Sequence, residues 1–333
     1  MKYPDDFINK IICGDCLEVM KEIPDKSINL IIADPPYNIN KADWDEIPNY
    51  IEWMGNRLLE MQRVLKDNGS FYLFHNDFLQ MVEIQNWINK NSKFVFKQLI
   101  VWDKYTKFRT KQAGGGPLCG KLQNNSLRNY YQFTEYILFY ILQDDTGLTK
   151  IFGNENYFKP IRDYLREEKN KANLKTCKQI NQLLGVDDNG GGMASHYFSD
   201  KIGFKQWALP TKKMYKKLQQ TGYFKKEYED LRREYEDLRY TFNNQKTDHT
   251  STVWHYPYAK QNGHITPKPI ELIKNILRHS SNEGDITLIP FVGSGNDCIA
   301  CKGLGRKYIG IEISPEYCEI ARNRIKAIPE LLF

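Results

Sequence analysis

Continuous apolar runs alternate with segments of helical apolar spacing in the N-terminal part of this chain. The runs "IIC" and "SINLIIAD" flank the helical segment "LEVMKEI", and residues 48–66 repeat apolar residues on one helix face. We expect Asn68-Gly69 to end that helix, and "SFYLFH", "FVFKQLIVW" and "EYILFYI" to form further strands. The pattern predicts strands and helices alternating around a largely parallel sheet.

The same alternation returns near the C-terminus. We expect a helix over 268–280, a strand over 286–290, a glycine turn, a helix, the strand "KYIGIEI" and a final helix. Between the two parts, the chain is rich in lysine, asparagine and tyrosine, and "DDNGGG" at 187–192 predicts a flexible turn. We therefore predict one α/β domain built from residues 1–145 and 251–333, with residues 146–250 inserted as a basic module.

A short repeat lies inside the insertion, with "YEDLRRE" at 228–234 and "YEDLRYT" at 235–241. Its seven-residue period places Tyr228, Leu231, Tyr235 and Leu238 on one helix face. Two heptads are too few for a coiled coil, so the repeat predicts one exposed amphipathic helix.

Composition narrows the class of protein. The 333 residues are 41% hydrophobic, and 47 Lys and Arg against 41 Asp and Glu give a net charge of +6. This balance permits a polyanionic partner without requiring one. No apolar run approaches the roughly 18 residues of a membrane span, and the N-terminus lacks the features of a signal peptide. We expect a cytoplasmic protein that makes no use of a membrane.

Two Cys-x-x-Cys pairs need a separate interpretation. Cys13 and Cys16 flank the end of a predicted strand, and Cys298 and Cys301 lie one turn apart on a predicted helix. Two such pairs can make a zinc site, but small thiols also pack well in a core. Seven cysteines without framework spacing are typical of a reducing compartment, and we favour buried structural thiols over a metal site.

The sequence "DITLIPFVGSGNDCIACKG" at 285–303 reads as a strand, a glycine turn and a helix. Glycines let the backbone approach a ligand closely, and Glu312 ends the next strand about twenty residues later. An acidic residue at that place in dinucleotide-binding folds binds ribose hydroxyls. The loop is therefore expected to hold a ligand that contains adenosine. Its glycine spacing favours neither a nicotinamide cofactor nor ATP.

The turn "ADPPYN" at 33–38 follows a buried strand. Its two prolines fix the backbone, so that Asp34, a turn carbonyl and Tyr37 stand together at the carboxyl edge of the sheet. Asp34 and the carbonyl suit the two hydrogens of an exocyclic amino group, and Tyr37 suits the face of a planar base. The structural alternative is a proline turn capped by an aspartate.

Taken together, "DPPY", "FVGSG", "YIGIEI" and "HITPKP" resemble the β class of amino-group DNA methyltransferases, which use S-adenosylmethionine. In that class the catalytic region comes first, a target-recognition region follows, and the cofactor region comes last. The resemblance covers about residues 10–140 and 250–328. It implies a circularly permuted Rossmann-like fold, with a mostly parallel sheet, helices on both faces and an inserted target-recognition region.

The resemblance also implies roles for individual residues. The turn residues Asp34, Pro35, Pro36 and Tyr37 would hold the target base. Asp15 would contact the adenine of the cofactor, Glu312 its ribose, and Lys268 its methionine carboxylate. The whole set implied for the cofactor is Asp15, Cys16, Thr266, Lys268, Phe291, Gly293, Ser294, Gly295 and Glu312. No metal is implied.

The implied activity is site-specific transfer of a methyl group to N6 of a flipped adenine in double-stranded DNA. Adenine is favoured over cytosine because the cytosine-N4 members of the family usually carry serine where Asp34 stands. The insertion would recognise the target, and "ASHYFSDKIGFKQWALP" and "KKMYKK" mix aromatics with lysines as DNA-binding surfaces do. Trp44-Asp45 is a candidate contact for the flipped base or the space it leaves, with ordinary packing as the alternative. The glycine-rich 104–121 is either a loop that closes over DNA or a disordered connection. The resemblance also allows a homodimer and a cognate restriction endonuclease as partners.

One departure keeps alternatives open. The family usually has Asp-Pro-Phe before the glycine loop and two threonines after it, whereas this chain has Ile289 and then Asn296-Asp297. Loss of a buried acceptor there would cost about 1–3 kcal/mol of cofactor binding, and Asp297 is a candidate replacement. The alternatives are a cytosine-N4 DNA methyltransferase, an RNA or protein-glutamine N-methyltransferase, and a catalytically weak DNA-binding relative.

Overall fold

In a computed structural model, the chain is described over residues 2–39, 45–104, 133–142, 158–186, 192–198, 207–237, 242, 251–259 and 267–328. It divides into two compact units. The first unit joins Met1–Leu142 to Thr241–Phe333, and the second unit is Gln143–Tyr240.

A mixed sheet is the centre of the first unit. Within the described residues, its eight strands are β1 (Lys10–Cys13), β2 (Ile28–Ala33), β3 (Leu65–His75), β4 (Phe94–Asp103), β5 (Thr134–Leu142), β6 (Val253–His255), β7 (Ile286–Ile289) and β8 (Lys307–Glu312). The spatial order is β1-β8-β7-β2-β3-β5-β4-β6. Strand β5 runs antiparallel to β3 and β4, and the other pairs are parallel. The predicted mostly parallel sheet is confirmed.

The two last strands of the chain lie between the first two. Strand β8 pairs with β1, where Gly310 lies opposite Ile11, and β7 pairs with β2, where Thr287 lies opposite Leu30. The carboxyl ends of these four parallel strands meet at one edge of the sheet. The glycine loop after β7 and the proline turn after β2 are therefore spatial neighbours, although more than 250 residues separate them in the chain.

Helices of the first unit cover both faces of the sheet. Within the described residues these helices are α1 (Cys16–Lys21), α2 (Tyr50–Val64), α3 (Phe78–Asn91), α9 (Ile270–Ser280), α10 (Asn296–Gly303) and α11 (Pro315–Lys326). The helices of the second unit are α4 (Lys159–Lys171), α5 (Cys177–Leu184), α6 (Gly192–Phe198), α7 (Lys212–Gln219) and α8 (Tyr228–Asp237). On β3, Phe71 and Leu73 belong to the core that includes residues of α2 and α3. Tyr72 points to the other face, because successive side chains of a strand alternate, and its hydroxyl bonds Ser280 of α9 at 2.7 Å.

Three local expectations differ from the structure. Helix α2 ends at Val64, because Leu65 is extended, fully buried and paired with Ile28 of β2. Asn68 and Gly69 therefore lie inside β3, and the expectation that they end the helix is wrong. Helix α3 and the three-residue strand β6 were absent from the prediction.

The second unit contains α4 to α8 and has its own apolar core. That core includes fully buried Ile161, Leu165, Tyr215 and Leu231. Helix α8 carries the sequence repeat, with Leu231 inside the core and Tyr228 and Tyr235 packed against it. The expectation of an exposed helix is thus corrected: one face of α8 is buried, because its apolar residues complete this small core. Leu238 lies outside the described residues.

No helix in the described segments is both long enough and apolar enough to span a bilayer.

Candidate active site

A cavity of about 540 Å³ opens at the carboxyl edge of β1, β2, β7 and β8. Its walls come from the segments that directly follow these strands, together with α2 and the segment before α9. The predicted residues that line it are Asp15, Cys16, Asp34, Pro35, Pro36, Tyr37, Lys268, Phe291, Gly293, Ser294 and Glu312. Gly295 is the N-cap of α10 and is not among the residues that line the cavity, and Thr266 lies outside the described residues.

The carboxylate of Asp34 is bound on both oxygens. Tyr37 donates its hydroxyl to Oδ1 at 2.6 Å, and Lys268 donates from Nζ to Oδ2 at 2.6 Å. Burial lowers the pKa of Lys268, but Asp34 and Glu135 together raise it above its ordinary value, so the ammonium stays charged. Lys268 thus forms an ion pair with Asp34, and its contact with a cofactor carboxylate stays a prediction.

A hydrogen-bond chain fixes the backbone of the proline turn. Tyr50 of α2 donates its hydroxyl to the Pro36 carbonyl at 2.7 Å, and His75 Nε2 lies 3.3 Å from the Tyr50 hydroxyl. On the other side of the ring, His75 Nδ1 lies 3.0 Å from the Asp77 carbonyl oxygen and 3.1 Å from the Asp77 backbone nitrogen. Burial lowers the pKa of His75 to about 4, so the ring is neutral. The Pro36 carbonyl is therefore already engaged by the protein.

A buried charge that the sequence did not predict contacts the proline turn. Glu135, near the start of β5, lies 3.4 Å from the Tyr37 hydroxyl through Oε2 and forms an ion pair with Lys104 through Oε1. Its exposed fraction is 4%. The only sequence signal is a lone acidic residue at the start of the apolar strand "EYILFYI", which does not reveal its partners.

The glycine loop is tied to the end of β8. The Gly293 N–H donates to Glu312 Oε2 at 2.8 Å, and the Ser314 N–H donates to Oε1 at 2.9 Å. Gly295 has a φ of 85° and directly precedes α10, a conformation that disfavours a side chain. Glu312 thus shapes the loop, and it also lines the cavity.

An ion pair closes the cavity beside β1. Asp15 caps α1 by accepting from the Leu17 N–H at 2.8 Å, and it accepts both hydrogen bonds from Arg57 at 2.8 and 2.7 Å. The Arg57 guanidinium lies 3.8 Å from the ring centre of Trp53. Arg57 and Trp53 line the cavity but were not predicted. The available signal was an arginine between the core residues Met54 and Leu58 of α2.

The residues that depart from the family pattern lie in different environments. Ile289 is 1% exposed and belongs to the core, whereas Asp297 lines the cavity. Among the described residues, Asp297 Oδ1 is buried and finds no hydrogen-bond partner. Burial and the nearby Asp34 raise the pKa of Asp297 to about 7. The side chain of Asn296, by contrast, is hydrogen-bonded to the backbone, because its Nδ2 donates to the Lys268 carbonyl at 2.6 Å.

Several sequence expectations concern residues beside the site. Asp45 stabilises the turn by accepting from the Asn38 and Ile39 N–H groups at 2.8 and 3.1 Å, whereas Trp44 and residues 105–121 lie outside the described residues. Cys16, Cys298 and Cys301 are buried as expected, and burial raises the thiol pKa of the last two. Cys13 is exposed, because the strand β1 ends there at the surface, so the expectation of a buried thiol is wrong at that position. Across the described segments, we find no group of three or more His, Cys, Asp or Glu side chains that could hold a metal.

The sequence profile of a DNA methylase family, which covers N6 and N4 enzymes, matches residues 28–323. The chain belongs to this family. This DNA methylase is 26% identical to type II methyltransferase M1.MboII of Moraxella bovis over 325 residues, which cover 93% of this chain and 94% of that protein. It is also 26% identical to DNA adenine methyltransferase YhdJ of Escherichia coli K12 over 327 residues, which cover 95% and 82%.

Solved structures share the fold of this methylase. A putative DNA modification methylase of Thermus thermophilus, in complex with S-adenosyl-L-methionine, aligns with a TM-score of 0.50 and 18% identity over 95% of this chain and 94% of that one. The PvuII DNA methyltransferase, described as cytosine-N4-specific, aligns with a TM-score of 0.53 and 11% identity over 98% and 91%. The predicted methyltransferase fold and the resemblance to DNA methyltransferases are confirmed.

Proposed function

We propose that this DNA methylase transfers a methyl group from S-adenosylmethionine to N6 of an adenine that is flipped out of double-stranded DNA. Asp34, in a proline turn at the same cavity as the glycine loop, is the observation that carries this proposal. A target amino group and a cofactor methyl group can meet only where the two segments are adjacent, and the pairing of β2 with β7 makes them so.

The cavity suits S-adenosylmethionine in size and chemistry. Its volume of about 540 Å³ lies within the usual range for small-molecule sites. Trp53 and Phe291, with ring centres 6.1 Å apart, offer apolar surface for the adenine. Glu312 offers carboxylate oxygens to the ribose hydroxyls, and Asp297 is a buried acid available to the positively charged methionine end. When bound, the cofactor supplies an electrophilic methyl group.

The turn suits an exocyclic amino group. The nitrogen lone pair of adenine N6 is delocalised into the ring, and acceptors for both hydrogens favour a more pyramidal and nucleophilic nitrogen. Asp34 is one acceptor. A backbone carbonyl of the proline turn is the candidate acceptor for the second hydrogen. Alignment of the nitrogen for in-line attack then supplies much of the rate enhancement.

The carboxylate also supports adenine as the target. The resemblance associates aspartate at this position with adenine and serine with cytosine, and the similar YhdJ is a DNA adenine methyltransferase. The base must leave the duplex to reach the cavity. The similarity to type II methyltransferases supports methylation of a site shared with a restriction endonuclease. That partner and a homodimer stay predictions.

The proposal is tested by the methylated nucleoside that the purified protein forms in duplex DNA. Wild-type protein and Asp34→Ala are incubated with labelled S-adenosylmethionine, and the digested DNA is analysed for N6-methyldeoxyadenosine and N4-methyldeoxycytidine. We expect only the adenine product, and a loss of at least about 100-fold for Asp34→Ala, because a hydrogen bond made in the transition state is removed.

Asp5→Ala is the matched control, because Asp5 is an exposed aspartate of the same unit. It should retain wild-type activity. Formation of N4-methyldeoxycytidine would replace the adenine assignment with the cytosine-N4 alternative. Methylation of RNA in preference to duplex DNA would support the RNA methyltransferase, and full activity of Asp34→Ala would overturn the catalytic role of the turn.

A further inference from the structure

The two donors that occupy Asp34 share a second acceptor. The Tyr37 hydroxyl is 2.6 Å from Asp34 Oδ1 and 3.4 Å from Glu135 Oε2. Lys268 Nζ is 2.6 Å from Asp34 Oδ2 and 3.5 Å from the same Glu135 Oε2. One oxygen of Glu135 therefore lies within reach of both groups that hold the catalytic carboxylate.

This arrangement conflicts with the task of Asp34. An incoming amino group must donate to the carboxylate, but a charged ammonium and a hydroxyl already take its two oxygens. A carboxylate in a tight ion pair is a weaker acceptor for a neutral amine, because the ammonium draws its negative charge. Simply pulling Lys268 off Asp34 would leave a buried ammonium without a counter-charge, which is strongly unfavourable.

Glu135 is a second acceptor that can take over the two donors from Asp34. It is 4% exposed and anchored by Lys104, itself 7% exposed, through its other oxygen. Moving either donor from Asp34 to a normal hydrogen bond with Glu135 requires a shift of less than about 1 Å. The positive charges of the two lysines equal the negative charges of Asp34 and Glu135 both before and after the shift. The shift therefore buries no uncompensated charge.

We propose that Glu135 is a positioning residue that accepts Lys268 and Tyr37 when the target amino group takes their place on Asp34. The inference rests on the proposed function, since it assumes that Asp34 binds the amino group. Glu135 contacts the two donors and acts through them on the acceptor strength of Asp34. Its effect therefore falls on methyl transfer and leaves the cofactor-binding end of the cavity unchanged.

The test compares wild type with Glu135→Gln and Glu135→Asp in single-turnover methylation of duplex DNA. We expect the rate to fall by about 10- to 100-fold in Glu135→Gln, the size of one charge-assisted hydrogen bond. The Kd for S-adenosylmethionine, measured by calorimetry, should change by less than about 3-fold. A change in Kd this small would show that the cofactor site is intact. Glu135→Asp keeps the charge of the buried pair but withdraws the carboxylate by one methylene, so it should fold and still lose rate.

A double-mutant cycle with Lys268→Met distinguishes positioning from a structural role. If Glu135 acts by drawing Lys268 from Asp34, Glu135→Gln should cost less rate in the Lys268→Met background than in wild type. Equal costs in both backgrounds would overturn the inference, as would a wild-type rate in both Glu135 variants. Glu60→Gln, a carboxylate that pairs with Arg63 on α2, is the control and should keep the wild-type rate.

The outcomes separate this inference from the proposed function. Failure of the wild-type protein to methylate adenine would contradict the proposed function. Adenine methylation that depends on Asp34 but not on Glu135 would contradict the positioning role alone.

Discussion

At the scale of single residues, Asp297 is unusual because this buried acid lines a cavity and its Oδ1 has no hydrogen-bond partner within the described part of the chain. Burial and Asp34 raise its pKa from 3.8 to about 7. Between these values the folded protein holds a proton that the unfolded chain has released. The free energy of unfolding therefore falls as the pH rises from about 4 to 7, because the unfolded state binds fewer protons there.

Asp297→Asn should remove this pH dependence. Between pH 5 and 7 the free energy of unfolding of the wild type should fall by up to about 3 kcal/mol. The variant should not show this fall, so it should gain up to that amount relative to wild type. Urea denaturation across this pH range gives the measurement. Glu319→Gln, at an exposed site, should show no such gain. A stability difference between Asp297→Asn and wild type that stays constant with pH would contradict the raised pKa.

The candidate site was predictable only where its chemistry has a local signature. Asp34 and Tyr37 follow a strand and Glu312 ends one, each in a recognisable motif, so their placement at one sheet edge could be anticipated. Glu135 and Arg57 lie on an apolar strand and an apolar helix face, and only the packing of distant segments gives them partners. The pairing of Lys268 with Asp34 was missed for the same reason, since 234 residues separate them in the chain.

At the scale of elements, the glycine loop depends on close packing against α11. A Cβ on Gly295 would lie 3.0 Å from the Ala321 Cβ and 3.2 Å from its Cα, at a φ of 85°. Gly284 has nearly the same φ of 83°, but a Cβ there meets nothing within 4 Å. The two glycines therefore share the conformational cost of a side chain and differ in the space around it.

Gly284→Ala should destabilise the protein by about 1–2 kcal/mol through its positive φ alone. Gly295→Ala should cost about 1–3 kcal/mol more, because α10 and α11 must separate, and it should also weaken S-adenosylmethionine binding. Urea denaturation and calorimetry provide the two measurements. Equal losses of stability in the two variants would show that the loop tolerates the contact.

The secondary structure was predictable where periodicity was strong and less so elsewhere. Helix α3 had a signal, since Met81, Ile84 and Ile88 repeat at helical spacing and are buried. Strand β6 has three residues, too few for a period to be seen. The antiparallel direction of β5 leaves no mark in its apolar sequence, because direction depends on how the chain returns to the sheet.

At the scale of the whole molecule, the order of motifs predicted the arrangement of the sheet better than any single element did. A glycine loop near the C-terminus makes sense only if its strand lies beside one from the start of the chain. The pairing of β7 with β2 and of β8 with β1 has that arrangement. The order of motifs did not predict the core of the second unit, because that small core is formed by apolar residues scattered among lysines.

The separate core of the second unit leads to a prediction about the whole chain. Among the described residues, those buried in this core lie within 158–231, and those buried in the sheet core belong to the first unit. Replacing residues 158–237 with a flexible glycine-serine linker should therefore leave a folded first unit that binds S-adenosylmethionine with a Kd within about 3-fold of wild type.

The replacement should instead weaken DNA binding and site selection, because lysine and arginine outnumber acidic residues in 143–240. Thermal unfolding, calorimetry and sequencing of methylated positions are the measurements, with the full chain as control. Methylation of the same sites at the wild-type rate would contradict a target-recognition role, and an unfolded first unit would contradict its independence.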